Sequence, residues 1–313
     1  MNRTGAKPSK NRWIPYLYLS PFFIIFLVFG LYPILFSAWI SLHSWELNSA
    51  LINMEWQGLA NFEYILTDEW FYRALYTTFW LAIVSGLPQH LVAIPLAALL
   101  FRMSATRRHL LLSSYFLPFI TSSVAISLVF TSLFSRDFGV LNQLLNGFHE
   151  WTIFGHQPLG WLFPEKAIDW QDSTHIRWTI AFVVFWRHVG WNTLLYLSAM
   201  KTIPTELFDA ARLEGAGFWR QLRHVVLPQL RPMILLTLTL SVIGNMQLFE
   251  EPFILTAGTG GSGQAGQTIA MYLYATAFSE GDFATASATA WLLFMLLMAL
   301  CLFGRRINQQ ESL

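Results

Sequence analysis

"IPTELFDAARLEGAGFWRQLRHVVLP", residues 203–228, is charged and glycine-punctuated, and it lies between two long apolar runs, 178–200 and 230–251. Pro204 suits a first helical turn. "TELFDAARLE" then reads as helix, with Leu207, Ala210 and Ala211 on one side and Glu206, Asp209 and Arg212 on the other. Gly215 and Gly217 end it, "FWRQLRHVV" follows as a second short segment, and Pro228 breaks or bends the chain into the next run. Two short helices around a glycine corner are predicted. On physics alone they form an interfacial amphipathic linker held by Phe218, Trp219 and arginine side chains.

The surroundings of this stretch set its context. Of 313 residues, 55% are hydrophobic and 12% are charged, which is the balance of an integral membrane protein. A helix crossing a hydrocarbon core needs about 20 residues. Runs at 16–42, 74–101, 110–134, 178–200, 230–251 and 285–303 are long enough, so an all-α fold with six transmembrane helices is expected. The first run follows basic residues as a signal peptide would, but it is too long and lacks a cleavage pattern, so it reads as an anchor. Cys301 stands alone and forms no intrachain disulfide.

The net charge of +1 hides an asymmetry along the chain. Arg3, Lys7, Lys10 and Arg12 precede the first run, and Arg102, Arg107 and Arg108 join the second and third. Lys201, Arg212, Arg220, Arg223 and Arg231 lie between the fourth and fifth, and Arg305 and Arg306 follow the sixth. The alternate connections are acidic, with Glu46, Glu55, Glu63, Asp68, Glu69, Glu150, Glu165, Asp169, Asp172, Glu280 and Asp282, and rich in tryptophan (Trp45, Trp56, Trp70, Trp151, Trp161, Trp170, Trp178). The positive-inside rule makes the basic connections, both termini and the 203–228 loop cytoplasmic.

Several chemistries find no residues to carry them. "TAGTGGSGQAG" at 256–266 has glycines but no Gly-Lys-Ser/Thr for phosphate and magnesium, so it reads as a flexible loop. No metal-ligand spacing or nucleophile motif is recognisable, and nothing points to nucleic acid.

With Asp209-Ala210-Ala211, then Gly215, then Leu227-Pro228, the loop resembles the cytoplasmic signature loop of binding-protein-dependent ABC importer permeases. Asp209 stands for the usual Glu, and Glu214 for the usual Asp before the glycine. "WRHVGWNTLLYLSAMKTIPTELFDAA" (186–211) and "QLFEEPFILTAGTGGSGQAGQTIAMYLYATAFSEGDFATASATAW" (247–291) resemble the maltose-type, carbohydrate-uptake branch of that family. The likeness covers roughly 70–305. It implies a type I ABC importer transmembrane domain there, after an N-terminal tail (1–15) and a first helix with its outer loop (16–69), and before a C-terminal tail (306–313).

It also implies a non-enzymatic translocation subunit in the bacterial cytoplasmic (inner) membrane. Such a subunit works with a second permease subunit of a different chain, an ATPase dimer and an extracytoplasmic solute-binding protein. The chain itself would bind no cofactor, ATP and magnesium being used by the ATPase. Asp209, Ala210, Ala211, Glu214, Gly215, Leu227 and Pro228 would form the coupling element. Ala210 and Ala211 are small enough to enter a groove on the ATPase, and Asp209 can contact a basic residue there.

Polar residues inside spans are costly and become functional candidates. Asn192, Asn245, Gln247, Phe249 and Glu250 are candidates for a sugar pathway, since sugars need planar hydrogen-bonding groups and an aromatic face. Arg187 is expected to pair with Glu250 or Glu251. Gln89 and His90 are polar residues of this kind in the second run; His90, next to Gln89, reads as a helix-to-helix contact, and Pro88, Pro95 and Pro118 read as bends. Two alternatives stay open: an ABC permease for another small polar solute, and a proton- or ion-coupled carrier with Arg187, His188 and Glu250 as a relay.

Overall fold

A computed structural model describes residues 13–45, 54–150 and 167–310. Arg3, Lys7, Lys10, Arg12, Glu46, Trp151, Trp161 and Glu165 lie outside them. Among the described residues the fold is helical except for one antiparallel pair, β1 (His43–Ser44) with β2 (Glu55–Trp56). The chain forms two compact units, Met1–Thr67 with Leu273–Met295, and Asp68–Tyr272 with Leu296–Leu313.

In the first unit, α1 (Ile14–Phe26) and α2 (Tyr32–Ile40) are joined by a π-turn, Leu27–Leu31. The cause is Pro33, whose ring displaces the carbonyl four residues back. The wider turn lets the Tyr32 N–H bond the Leu27 carbonyl instead. Most apolar side chains of α1 are exposed, as on a helix facing lipid or another chain. The buried Asn61 of α3 (Ala60–Thr67) donates to the carbonyls of Ser41 and His43 at 2.9 and 2.8 Å, fixing α3 to the end of α2.

The second unit is built on α4 (Glu69–Phe101), whose first turn is capped by Asp68 accepting from the Trp70 N–H at 2.9 Å. Its buried face repeats every three or four residues through Ala74, Leu81, Ser85, Gln89, Ala93, Ala97 and Leu100. The helix runs on through Pro88 and Pro95.

The expected single span at 110–134 is instead α5 (Ala105–Ile120) and α6 (Ser123–Leu133), meeting at 93°. The break falls at Thr121 and Ser122, which take extended backbone angles, and not at Pro118, which stays inside α5. Helix α7 (Val140–Glu150) is amphipathic. A turn around Asp172 then leads into α8 (Ile176–Met200). Partial desolvation raises the pKa of the Asp172 carboxyl, but hydrogen bonds from His175 and from the Thr174 N–H outweigh it and hold the group below its ordinary range.

Helices α4 and α8 pack along their lengths, with α5 against α8 and α11 against both. Gly190 makes the α5 contact feasible, because a Cβ there would overlap the Tyr115 carbonyl. After α8 come α9 (Thr205–Leu213), α10 (Phe218–Gln221), a π-turn at Leu222–Val226 and α11 (Leu227–Met246). The expected break at Pro228 does not occur. As at Pro33, the residue before the proline reaches back five positions, Leu227 N–H to the Leu222 carbonyl, and the helix continues.

Helix α11 ends at Met246 and the chain restarts as α12 (Glu250–Leu255), α13 (Ile269–Tyr274) and α14 (Phe283–Gln310). The 256–268 loop is not the loose connection its glycines suggest. Gly260, Gly261 and Gly258 take positive φ, the Gly266 N–H bonds the Gly260 carbonyl at 2.8 Å, and a Cβ at Gly266 would meet Ile176 and Ile180 at 3.0 Å.

Among the described residues, four helical stretches are long and apolar enough to cross a membrane: Tyr16–Ile40, Glu69–Phe101, Phe218–Leu255 and Phe283–Leu302. The bent α5–α6 pair makes a fifth if it counts as one span. Helix α8 is long enough, but Arg177, Arg187, His188 and Asn192 lower its apolarity. The protein is thus a multi-pass membrane protein.

Candidate functional site

The 203–228 loop is anchored from beneath and open on top. Phe208, 7% exposed, packs its ring 5.4 Å from Phe101 within a core of Ala98, Met200, Ile203, Leu222, Val226 and Leu230. Arg102, just beyond α4, donates to the Gln221 side chain at 2.5 Å and lies 4.9 Å over the Phe218 ring. Gln221 in turn donates to the Ala216 carbonyl at 2.7 Å. One aromatic side chain and one arginine therefore tie the loop to the ends of α4 and α11.

The corner is a Schellman turn. The Ala216 N–H bonds the Ala211 carbonyl and the Gly215 N–H bonds the Arg212 carbonyl, both at 2.9 Å, with Gly215 at φ +72°. A Cβ at Gly215 would meet nothing within 4 Å, so the need for glycine is conformational and not a matter of space. Asp209, Ala210, Glu214 and Leu213 are exposed, Leu213 to 90%, and Ala211 is half-buried. Asp209 and Arg212 pair at 3.0 Å on the surface. Leu227 and Pro228 lie on the first turn of α11, also exposed, and do not touch the corner's hydrogen bonds.

A second feature lies within the helices. A cavity of about 180 Å³ is lined by Gln89 of α4, Phe119 of α5, His188, Trp191 and Asn192 of α8, and Thr237, Ser241, Gly244 and Asn245 of α11. On one wall the Phe119 and Trp191 rings stack at 4.5 Å. Leu195, Leu240 and Leu248 complete the lining, and its polar residues are cross-linked. The Asn245 Oδ1 accepts from Ser85 at 3.0 Å, and its Nδ2 donates to the Ser241 carbonyl at 2.7 Å. His90 bonds Tyr196 at 2.7 Å and Ser241 at 3.0 Å, and Tyr196 bonds Thr237 at 2.7 Å. Asn192 donates to the Gln89 Oε1 at 3.2 Å.

The structure brings together only part of the sequence-derived pathway. Asn192 and Asn245 line the cavity, whereas Gln247 and Glu250 are exposed and Phe249 stacks on Phe253 at 4.9 Å. Residues 244–251 do not share one helical face, because α11 stops at Met246 and Gln247 leaves helical geometry. Arg187 pairs with the buried Glu251 at 2.5 Å, not with Glu250. The exposed Glu250 is therefore no part of a relay with Arg187 and His188, whose Nδ1 bonds the Val184 carbonyl at 2.9 Å. Ser241, Thr237, Trp191 and Phe119 escaped the sequence-derived set. For Ser241 a signal was present, since it stands four residues before Asn245 on the same helical face.

Residues 89–309 match the family described as binding-protein-dependent transport system inner membrane component. The chain is 32% identical to the probable ABC transporter permease protein YurN of Bacillus subtilis (strain 168), covering 94% of this chain and 95% of that one. It is 31% identical to the lactose transport system permease protein LacF of Rhizobium radiobacter, covering 96% of each. Its fold matches, with a TM-score of 0.74 at 19% identity over 96% of this chain and 95% of the other, a bacterial alginate ABC transporter solved in complex with alginate pentasaccharide-bound periplasmic protein. The exposed loop anchored beneath α4 and α11, the polar cavity between helices and these likenesses converge: this chain belongs to the binding-protein-dependent transport system inner membrane components, as a translocating permease subunit of an ABC importer.

Proposed function

We propose that the chain passes a neutral saccharide across a bacterial cytoplasmic membrane. In this reading it has six spans, with α8 and the α5–α6 pair each counted as one, and both termini are cytoplasmic. The observation that carries the saccharide is the cavity lining: amides and hydroxyls from Gln89, Asn192, Thr237, Ser241 and Asn245 beside a stacked aromatic pair, with no Asp, Glu, Lys or Arg among the lining residues. Hydroxyl-rich, uncharged cargo needs donors, acceptors and an aromatic face, whereas an anion would need a free cation. LacF, named for lactose, supports the same class. At about 180 Å³ the cavity is below the roughly 300–1,000 Å³ of self-contained small-molecule sites. A second permease subunit would complete the wall.

Energy comes from outside the chain. A separate ATPase dimer, using ATP and magnesium, docks on α9 with Asp209, Ala210, Ala211 and Glu214 in its groove. Gly215 sets the corner, while Leu227 and Pro228 carry the motion into α11. An extracytoplasmic binding protein delivers the cargo, and residues 70–305 form the transporting domain. Because Phe208 and Arg102 clamp the loop to α4, and α11 continues from the loop itself, a push on α9 reaches two cavity walls at once. This suits a rigid-body switch between two packed states.

The test is uptake by proteoliposomes holding the permease pair and ATPase, with binding protein outside. Lactose or maltotriose should accumulate only with ATP inside, and should do so undiminished by a protonophore. Uptake of an amino acid or phosphate but of no saccharide would overturn the cargo assignment.

A further inference from the structure

We propose that Gln89 contacts the cargo directly, its free amide group completing a hydrogen bond to a saccharide hydroxyl in the cavity; this rests on the carbohydrate reading above. Gln89 is 1% exposed, on the buried face of α4, and it lines the cavity. Its Oε1 accepts from Asn192, but its Nε2 has no hydrogen-bond partner among the described residues. An unsatisfied buried amide donor is costly, so one that persists calls for a partner supplied from outside the chain.

Two other buried amides show that this fold can satisfy such groups with partners of its own. Asn142, 4% exposed, donates to the carbonyls of Ile168 at 2.9 Å and Arg136 at 3.1 Å, and accepts from Ile168 and Trp170. Asn245 is engaged at both its oxygen and its nitrogen. Gln89 is the amide left half-filled among these three, and it is a residue of the cavity lining. Exchanging oxygen and nitrogen on both Gln89 and Asn192 would turn the orphan donor of Gln89 into an orphan acceptor, and a hydroxyl fills either, since it both donates and accepts. Across the same cavity, the Phe119–Trp191 stack offers the apolar face on which the C–H side of a sugar ring rests.

The experiment is equilibrium binding of radiolabelled lactose and maltotriose to the detergent-purified complex of permease pair and ATPase. It is run on wild type, Gln89→Met and Gln89→Leu, with the melting temperature of each sugar-free complex. Methionine keeps the length of the side chain without its amide, and leucine removes the amide with a shorter apolar side chain. For the sugar that binds wild type, Kd should rise about five-fold in Gln89→Met, the worth of one neutral hydrogen bond. Its sugar-free melting temperature should hold or rise as an unsatisfied group leaves. If Gln89→Met does not assemble, Gln89→Leu is read for the same rise. An unchanged Kd, with wild type binding sugar normally, overturns the role of Gln89 alone. Failure of wild type to bind either sugar overturns the carbohydrate reading and this proposal with it.

Discussion

The loop at 203–228 and the segment at 244–251 were both marked out by polar residues beside apolar runs, yet they resolve differently. In the first, local chemistry decides the structure: a glycine at φ +72° closes a Schellman turn, and a π-turn absorbs the proline that follows. In the second, tertiary packing decides it. The chain leaves the helix at Gln247, so Asn245 turns inward while Gln247 and Glu250 turn out. Gly215 acts through the backbone of its own turn and can be read in place. The direction of a polar side chain depends on where its helix stops and on what packs against it.

If this contrast is sound, substitutions in the packed region should cost far more than those in the loop. The largest effect is expected at the buried ion pair. Arg187→Met leaves Glu251, 4% exposed, without its ion-pair partner, which should destabilise by about 3–5 kcal/mol. The double change Arg187→Met with Glu251→Met should recover most of that, as melting temperatures of the purified complex would register. A double variant no better than the single would mean that the pair is not acting as a unit.

Next comes Gly190, whose missing side chain admits the Tyr115 backbone. Gly190→Ala should cost about 1–3 kcal/mol through forced separation of α5 and α8, whereas Gly244→Ala, with nothing within 4 Å of its Cβ, should leave stability unchanged or raised. Equal melting temperatures for the two variants would break the argument from close approach.

The smallest of these effects belongs to the loop. Gly215→Ala should lose about 1 kcal/mol, because only a positive φ is strained and no neighbour is displaced. Hydrogen exchange at the amides of Gly215 and Ala216 should report it, faster in the variant while the rates in α4 and α8 stay fixed. Faster exchange throughout would show that the corner supports the whole fold.

Much of the molecule was legible beforehand. Helical class, the extent of the long helices and the two-helix corner follow from apolar run length and from glycine placement. Three matters were not. The 93° break at Thr121–Ser122 falls three residues past Pro118, where the bend is expected, with no proline or glycine at the break itself. The glycine loop at 256–268 is held by its packing on Ile176 and Ile180, which no local pattern reveals. The choice of Glu251 over its neighbour Glu250 as partner of Arg187 depends on the register of α12, which begins only at that point. In the cavity, Asn192 and Asn245 were readable as costly polar residues. The aromatic stack of Phe119 on Trp191 joins residues from separate helices and becomes visible only once they pack.

The central claim is that α9 couples this permease to an ATPase through its exposed acidic face. Asp209 offers a clean probe, because its pairing with Arg212 is solvent-exposed and worth under about 1 kcal/mol, so reversing its charge leaves the fold intact. The decisive measurement is ATP hydrolysis by the reconstituted complex, with and without sugar-loaded binding protein, in wild type and Asp209→Lys. The account predicts that Asp209→Lys reaches the membrane at normal levels and loses the stimulation by sugar-loaded binding protein. Stimulation equal to wild type would contradict it.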